Sequence, residues 1–584
     1  MSGSRRLLAG ALAAFVLLGF AIDWWRRRST PAAPPAPLPV STGAALAVEP
    51  AFSPGGRWIV YASTRAGAVL DLWIQPAAGG TPRRLTSGDA DSHAPTFSPD
   101  GARIAFRSEQ GSGGVYVMPA SGGIPVLAAP GGRDPRFSPD GRSLAYWFAG
   151  PDGKDEVRVV PASGGESRRI CPTCTTARYP LWSTDGRHLL FSASDGRRYD
   201  LYTAPTAGGP PANTGISALM HIQGMRGDTV MPTAWNGGHV IVSAQVRGQV
   251  NVWRIALDPR LLQSTTAARQ LTVGRGYEGP ASAAGSTLVY SSTSVEPAAW
   301  VLTLDPRSGA ARGEPERAAA GAGDRMQPAI SADGRRIAFR RQGRLWVRDL
   351  ACGAETALEP RDLANAVAVI SPDGARVAYG ADGNVYASPV SGGEPKLLGE
   401  RTGQPWSWSP DGTRLLCQSW RRSLVLLYTA NGERRDILRH PEANLSDARF
   451  SPDGRWIALC TGSSRGPRRV WIVPFREGPA PSSSEWIAVT GESGANGYPC
   501  WSADGRTLYY LSQRDGFRCI WAQRLEGATR RPQGEPFCVR HFHQRRFSLA
   551  NPGNPSDAGL AAAPGKLVFT VFEASGGLWK LTVR

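Results

Sequence analysis

The sequence predicts an all-β protein: two tandem β-propellers, with six four-stranded blades each, after a single N-terminal transmembrane helix. Three observations carry this expectation. A turn motif recurs about every 46 residues, a second glycine-rich turn recurs in phase with it, and one apolar run lies near the N-terminus.

Taken in order, residues 1–6 are read as a short cytoplasmic N-terminus and residues 7–25 as a transmembrane signal anchor. Leu7 to Ile22 carries no charge, follows Arg5 and Arg6, and extends through Trp24 and Trp25 to Arg26, Arg27 and Arg28. A cleavable signal ends in small residues, whereas tryptophans and arginines suit a membrane interface, so the flank favours an uncleaved anchor. Residues 26–43 contain Pro31, Pro34, Pro35, Pro37 and Pro39, which favour an extended polyproline spacer holding the body off the bilayer.

Residues 44–303 and 304–584 are read as the two propellers. The first turn motif is an aromatic or aliphatic residue, then Ser-Pro-Asp-Gly or a close variant. Its aspartates are Asp100, Asp140, Asp185, Asp333, Asp373, Asp411, Asp453 and Asp504. Near copies stand at Phe52 to Gly56, Trp235 to Gly238, Ala283 to Gly285 and Ala563 to Gly565. Proline presets φ, aspartate bonds nearby backbone N–H groups and glycine accepts positive φ, so each motif is a hairpin and each aspartate is structural.

The strand after each motif is apolar on both faces, as in Arg103-Ile-Ala-Phe106 and Arg376-Val-Ala-Tyr379, which fits a blade covered on each side by its neighbours. A third strand leads into the second signature, such as Pro119-Ala-Ser-Gly122-Gly123, before a short outer strand. Each period thus supplies four strands. Propellers have four to eight blades, so twelve periods divide most naturally as six plus six, with seven plus five left open.

These repeats resemble the WD-like repeats of the TolB β-propeller family, which also forms the extracytoplasmic half of some bacterial Ser/Thr kinases and membrane-bound regulators. The resemblance covers residues 45–584. The chain differs from TolB in showing no small α/β domain before the propeller, in its helix anchor and in about twice the blades. The resemblance implies an envelope location and protein or peptide partners.

Composition narrows the function classes. The net charge of +18 is scattered, and only four of the 66 basic residues are lysine (Lys154, Lys396, Lys566, Lys580). With no basic stripe, helix-turn-helix pattern or zinc-knuckle spacing, no nucleic-acid partner is expected. Of eight cysteines, six are dispersed; Cys171-Pro-Thr-Cys174 is read first as a local disulfide, with inert free thiols and a redox or metal role as the alternatives.

No catalytic centre is legible. Gly462-Ser-Ser464-Arg-Gly466 fits G-x-S-x-G, but it lies between two strands with no helix following to make a nucleophile elbow. The seven histidines are dispersed, and His541-Phe-His543, read as two rings on one side of a strand, has no nearby carboxylates in sequence. No metal and no cofactor are expected.

Propeller ligands meet the loops leading into the innermost strands. Here those segments carry His93, Arg133, Arg136, Arg178, Tyr179, Gln327, Gln404, Trp406, Arg449, Asn496 and Tyr498, which are the candidate ligand face. The expected function is a binding, sensing or scaffold protein of the bacterial envelope, anchored in the inner membrane with its propellers in the periplasm or outside. The alternatives are a propeller-based hydrolase or lyase acting on peptides or polysaccharides, and a structural subunit of a Tol-Pal-like complex.

Overall fold

A computed structural model describes residues 36–583 except 42, 44, 151–153, 195–198, 219–229, 237, 247, 259, 265, 275, 321–326, 360–362, 364–366, 421, 463–467, 492–494 and 550–557. The expected anchor, Ser464 and His221 lie outside the described residues. No helix among the described residues is long and apolar enough to cross a membrane.

The Ser-Pro-Asp-Gly segments are tight hairpins held by side chains. In Phe97 to Arg103, the Asp100 carboxylate accepts from Ser98 Oγ (2.5 Å) and from the Ala102 N–H (3.0 Å). Ser98 Oγ in turn accepts the Arg103 N–H at 2.9 Å, and Gly101 takes φ 73°. The same serine and aspartate pairing recurs at Asp140, Asp185, Asp333, Asp373, Asp411, Asp453 and Asp504. The serine bond holds the Asp100 carboxyl below its ordinary range.

Each hairpin joins the first and second strands of an antiparallel sheet, and among the described residues nine sheets have four strands. The second strands are buried on both faces: Ile59, Val60, Tyr61 and Ala62 have no exposed surface, nor do Ile337, Ala338 and Phe339. A single sheet cannot bury both its faces alone, so every sheet needs a neighbour on each side. This is β-propeller architecture.

Neighbouring sheets are stitched at the motif. Where its first residue is tryptophan, the indole N–H donates to the inner strand of a neighbouring sheet: Trp182 to Arg136 O (2.9 Å), Trp408 to Val369 O (3.2 Å) and Trp501 to Arg449 O (3.2 Å). Basic residues opening the second strand reach the next turn's glycine, as Arg103 does to Gly141 O at 2.8 Å and Lys566 to Gly334 O at 3.1 Å. Part of the arginine excess is thus spent between sheets.

The innermost strands touch in two closed cycles. One runs Ala47–Phe52, Ser92–Phe97, Gly132–Phe137, Thr176–Trp182, Met231–Asn236, Tyr277–Ala284 and back. The other runs Ala329–Ile330, Ala368–Ile370, Gln404–Trp408, Leu445–Phe450, Gly497–Trp501, Leu560–Ala563 and back.

Two 17-residue strands, Thr287–Thr303 and Lys566–Thr582, pair along their whole length and serve both cycles. At one end they lie between Tyr277–Ala284 and the outer strand Leu38–Pro39; at the other, between Leu560–Ala563 and Glu316–Ala320. The expected division near residue 303 therefore falls at the end of a strand common to both cycles. Leu38 and Pro39, expected in the spacer, are an edge strand against Trp579 and Lys580, a position where proline's missing N–H costs no ladder bond. Cys171 and Cys174 are joined by a disulfide.

Candidate functional site

The inner strands of the first cycle share an irregularity three residues before each motif. Glu49, Ala94, Asp134 and Tyr179 take φ of 55°, 51°, 47° and 59°, each is followed by proline, and the pairing register shifts at each. Such bulges re-aim a side chain at a cost of about 1–3 kcal/mol for a non-glycine residue at positive φ. Here Glu49, Asp134 and Tyr179 line a cavity of about 1730 Å³ inside the cycle.

At the bulge end, a buried charge network spans two sheets. Glu49 is 6% exposed and His93 is 5% exposed. His93 Nε2 lies 3.0 Å from Glu109 Oε1 and its Nδ1 lies 3.3 Å from Glu49 Oε2, which also accepts the Ala94 N–H at 2.7 Å. Arg107 holds Glu109 through Nε (2.9 Å) and donates to Gly132 O (2.8 Å). Arg545, from the second half of the chain, pairs with Glu49 and donates its backbone N–H to Asp91 Oδ2 at 2.7 Å.

These charges set one another. Burial raises the Glu49 carboxyl, but Arg545, His93 and the Ala94 N–H outweigh it and hold it at about 2. Burial and Arg545 push His93 down, yet Glu49 and Glu109 prevail and its pKa is raised.

Residues 513–518 and 542–548 of the second half extend over this end of the cavity. The Arg133 guanidinium lies 4.8 Å from the Phe517 ring centroid and 5.4 Å from that of Trp147. Trp147 Nε1 donates to Asp134 Oδ2 at 2.5 Å, and Arg178 is paired with Asp155. Arg136 differs from these. Among the described residues its guanidinium donates only to Pro135 O, at 3.0 Å, while it lines the cavity. The other end of the cavity is formed by the turns at Ser53 to Gly56, Pro99, Pro139, Ser183 and Gly285.

The structure brings His93, Arg133, Arg136, Arg178 and Tyr179 together and places the other candidates in the second cycle. There Gln404 accepts the Val367 N–H at 3.0 Å, and Arg449 packs over Trp406 and bonds its carbonyl. Asn496 donates to Arg468 O at 2.9 Å, Tyr498 lies under Arg468, and the Gln327 backbone packs against Gly559. Most candidates sit within inner strands, not on a solvated rim: the strand begins before the bulge, which leaves these side chains buried or half-buried except for Arg178, which is exposed.

Sequence reasoning missed Glu49, Asp134 and Arg545. The first two carried a usable signal, since Glu49-Pro50 and Asp134-Pro135 stand at the same offset from the motif as Tyr179-Pro180. Arg545 carried none, because its partner Glu49 is 496 residues away.

One expectation is corrected. The strand Pro532–Arg540 ends before His541, so His541 and His543 are not on a strand, and a carboxylate does stand beside them. Asp515 Oδ2 lies 3.1 Å from His541 Nδ1 and 3.0 Å from His543 Nε2, brought there by a separate hairpin loop. With Cys519 they form a group whose donor atoms all lie within 4.8 Å of one another.

No family model matches the sequence. The chain is 32% identical over 113 residues to an uncharacterized protein of Agrobacterium fabrum, covering 18% of this chain and 38% of that protein. It is 26% identical over 272 residues to tricorn protease homolog 1 of Streptomyces coelicolor, covering 42% of this chain and 23% of that protein. The chain thus spans well under half the length of these relatives. Among solved structures, a putative TolB from Agrobacterium tumefaciens aligns at a TM-score of 0.36 and 17% identity, over 48% of this chain and 99% of that one. The propeller architecture stands on the chain's own sheets and turns.

Proposed function

We propose that this chain is a TolB-like binding or scaffold protein of two six-bladed propellers, the second inserted into the closing blade of the first. Residues 7–25 anchor it in the inner membrane with the propellers outside. Its ligand is a protein or peptide segment that enters the first propeller from the Ser-Pro-Asp-Gly face. The two cyclic orders of six inner strands support six plus six over seven plus five.

One observation carries the binding reading: a cavity of about 1730 Å³ holds a guanidinium, that of Arg136, without a carboxylate bonded to it among the described residues. Small-molecule pockets run to about 1,000 Å³, so this space suits a longer ligand. Glu49 and Asp134 already have donors, which leaves Arg136 to receive a carboxylate from an acidic side chain or a chain terminus.

Crosslinking and co-purification from the native membrane, with wild type and Arg136→Gln in parallel, tests this. A discrete envelope partner recovered with wild type and at least about tenfold depleted with the variant is the expected result. Recovery equal in both, or of no partner, overturns the channel reading. A protease-accessibility control reports sidedness, and turnover of a peptide or polysaccharide panel would replace binding with catalysis.

A further inference from the structure

We propose that Asp515, Cys519, His541 and His543 form a binding site for a zinc-class divalent metal ion that clasps the cover of the first propeller's channel. The donor set is one carboxylate oxygen, one sulfur and two imidazole nitrogens, the mixture that tetrahedral zinc takes.

The geometry is close to what an ion needs. Tetrahedral coordination places such donors about 3.3–3.6 Å apart. Both histidine nitrogens already lie 3.0–3.1 Å from Asp515 Oδ2, and all four donors lie within 4.8 Å of one another. The widest pair, at up to 4.8 Å, draws in by roughly 1.2–1.5 Å.

The surroundings fit a metal thiolate. The Phe542 N–H donates to Cys519 Sγ at 3.3 Å, the kind of outer bond that orients a ligating sulfur, and the His543 ring stacks on Phe517 with centroids 4.5 Å apart. Cys519 is fully buried while the His541 side chain is 55% exposed, which gives the ion an entry path. Binding replaces the Cys519 S–H bond with a metal–sulfur bond, and the proton leaves to solvent.

The position gives the ion something to do. Asp515 belongs to the loop whose Gly516 and Phe517 meet Arg133, and His543 stands two residues before Arg545, which pairs with Glu49. A bound ion ties loop 513–518 to segment 541–545 and so holds both over the channel mouth. This metal site stands apart from the peptide reading, which needs Arg136 and not the ion.

Cobalt(II) titration of the full chain, stripped with chelator and kept reduced, tests it. One Co²⁺ per chain with a thiolate-to-cobalt charge-transfer band is expected. His541→Ala, at an exposed position, should weaken binding at least about tenfold. Cys519→Ser should abolish the band while cobalt still binds more weakly. Substoichiometric binding, full affinity in His541→Ala, or a band that survives Cys519→Ser would each overturn the site. In wild type, Zn²⁺ should slow hydrogen exchange across 513–518, a readout that Arg136→Gln leaves unchanged.

Discussion

Glu49→Gln keeps the shape of the side chain and its bond to the Ala94 N–H but removes the charge that Arg545 and His93 read. The Glu49 carboxyl sits at about 2 against an ordinary 4.5, a difference equivalent to about 3 kcal/mol of native-state preference for the ionised form. The Arg545 side chain is 42% exposed, and screening there trims the figure to about 2–3 kcal/mol. Because the folded pKa is depressed, this contribution is complete above about 4.5 and fades as pH falls towards 2. His93 works in the opposite sense. Its folded pKa is raised, so its contribution is full below about 6.5 and is lost as pH rises through the folded value. The network is therefore strongest at roughly pH 4.5–6.5.

Denaturant unfolding at pH 6 should show wild type ahead of Glu49→Gln by about 2–3 kcal/mol, shrinking to about 1 kcal/mol at pH 3. Hydrogen exchange should quicken across residues 541–548 in the variant. A difference below about 0.5 kcal/mol at pH 6, or one that does not shrink with acid, would refute the charge network as described.

Two further substitutions probe the frame. Gly576 takes φ 140°, and a Cβ there would lie 2.3 Å from Ser292 O, so Gly576→Ala should cost at least about 2 kcal/mol and quicken exchange along both long strands. Trp501→Phe removes the indole bond to Arg449 O while retaining an aromatic ring, and should cost about 1 kcal/mol in thermal or denaturant unfolding without altering Arg136-dependent binding.

Much of the frame was legible because each turn encodes itself locally: Ser98, Asp100 and Gly101 make their bonds within five residues. Burial on both faces was equally visible in runs such as Arg336-Ile-Ala-Phe339. The long strands were not, since Thr287–Thr303 offers no internal mark of where one set of sheets gives way to the other, and its partner lies some 280 residues on. The site was half legible for the same reason. Arg133, Arg136 and Tyr179 follow from their offset to a motif, whereas Arg545 and Asp515 reach their partners only through the docking of distant hairpins.

The shared pair of long strands also governs the order in which the molecule can be made. Thr287–Thr303 pairs with Lys566–Thr582 along its whole length, and the edge strand Leu38–Pro39 joins the first cycle's closing sheet only through that late partner. A chain emerging from the ribosome therefore makes the sheets on both sides before their closing sheets are finished, and the same seventeen residues, Lys566–Thr582, complete the closing sheet of both cycles, near 582 in the first and near 566 in the second. Losing them should spring both open at once, so that stretches far apart in sequence share a single cooperative fate.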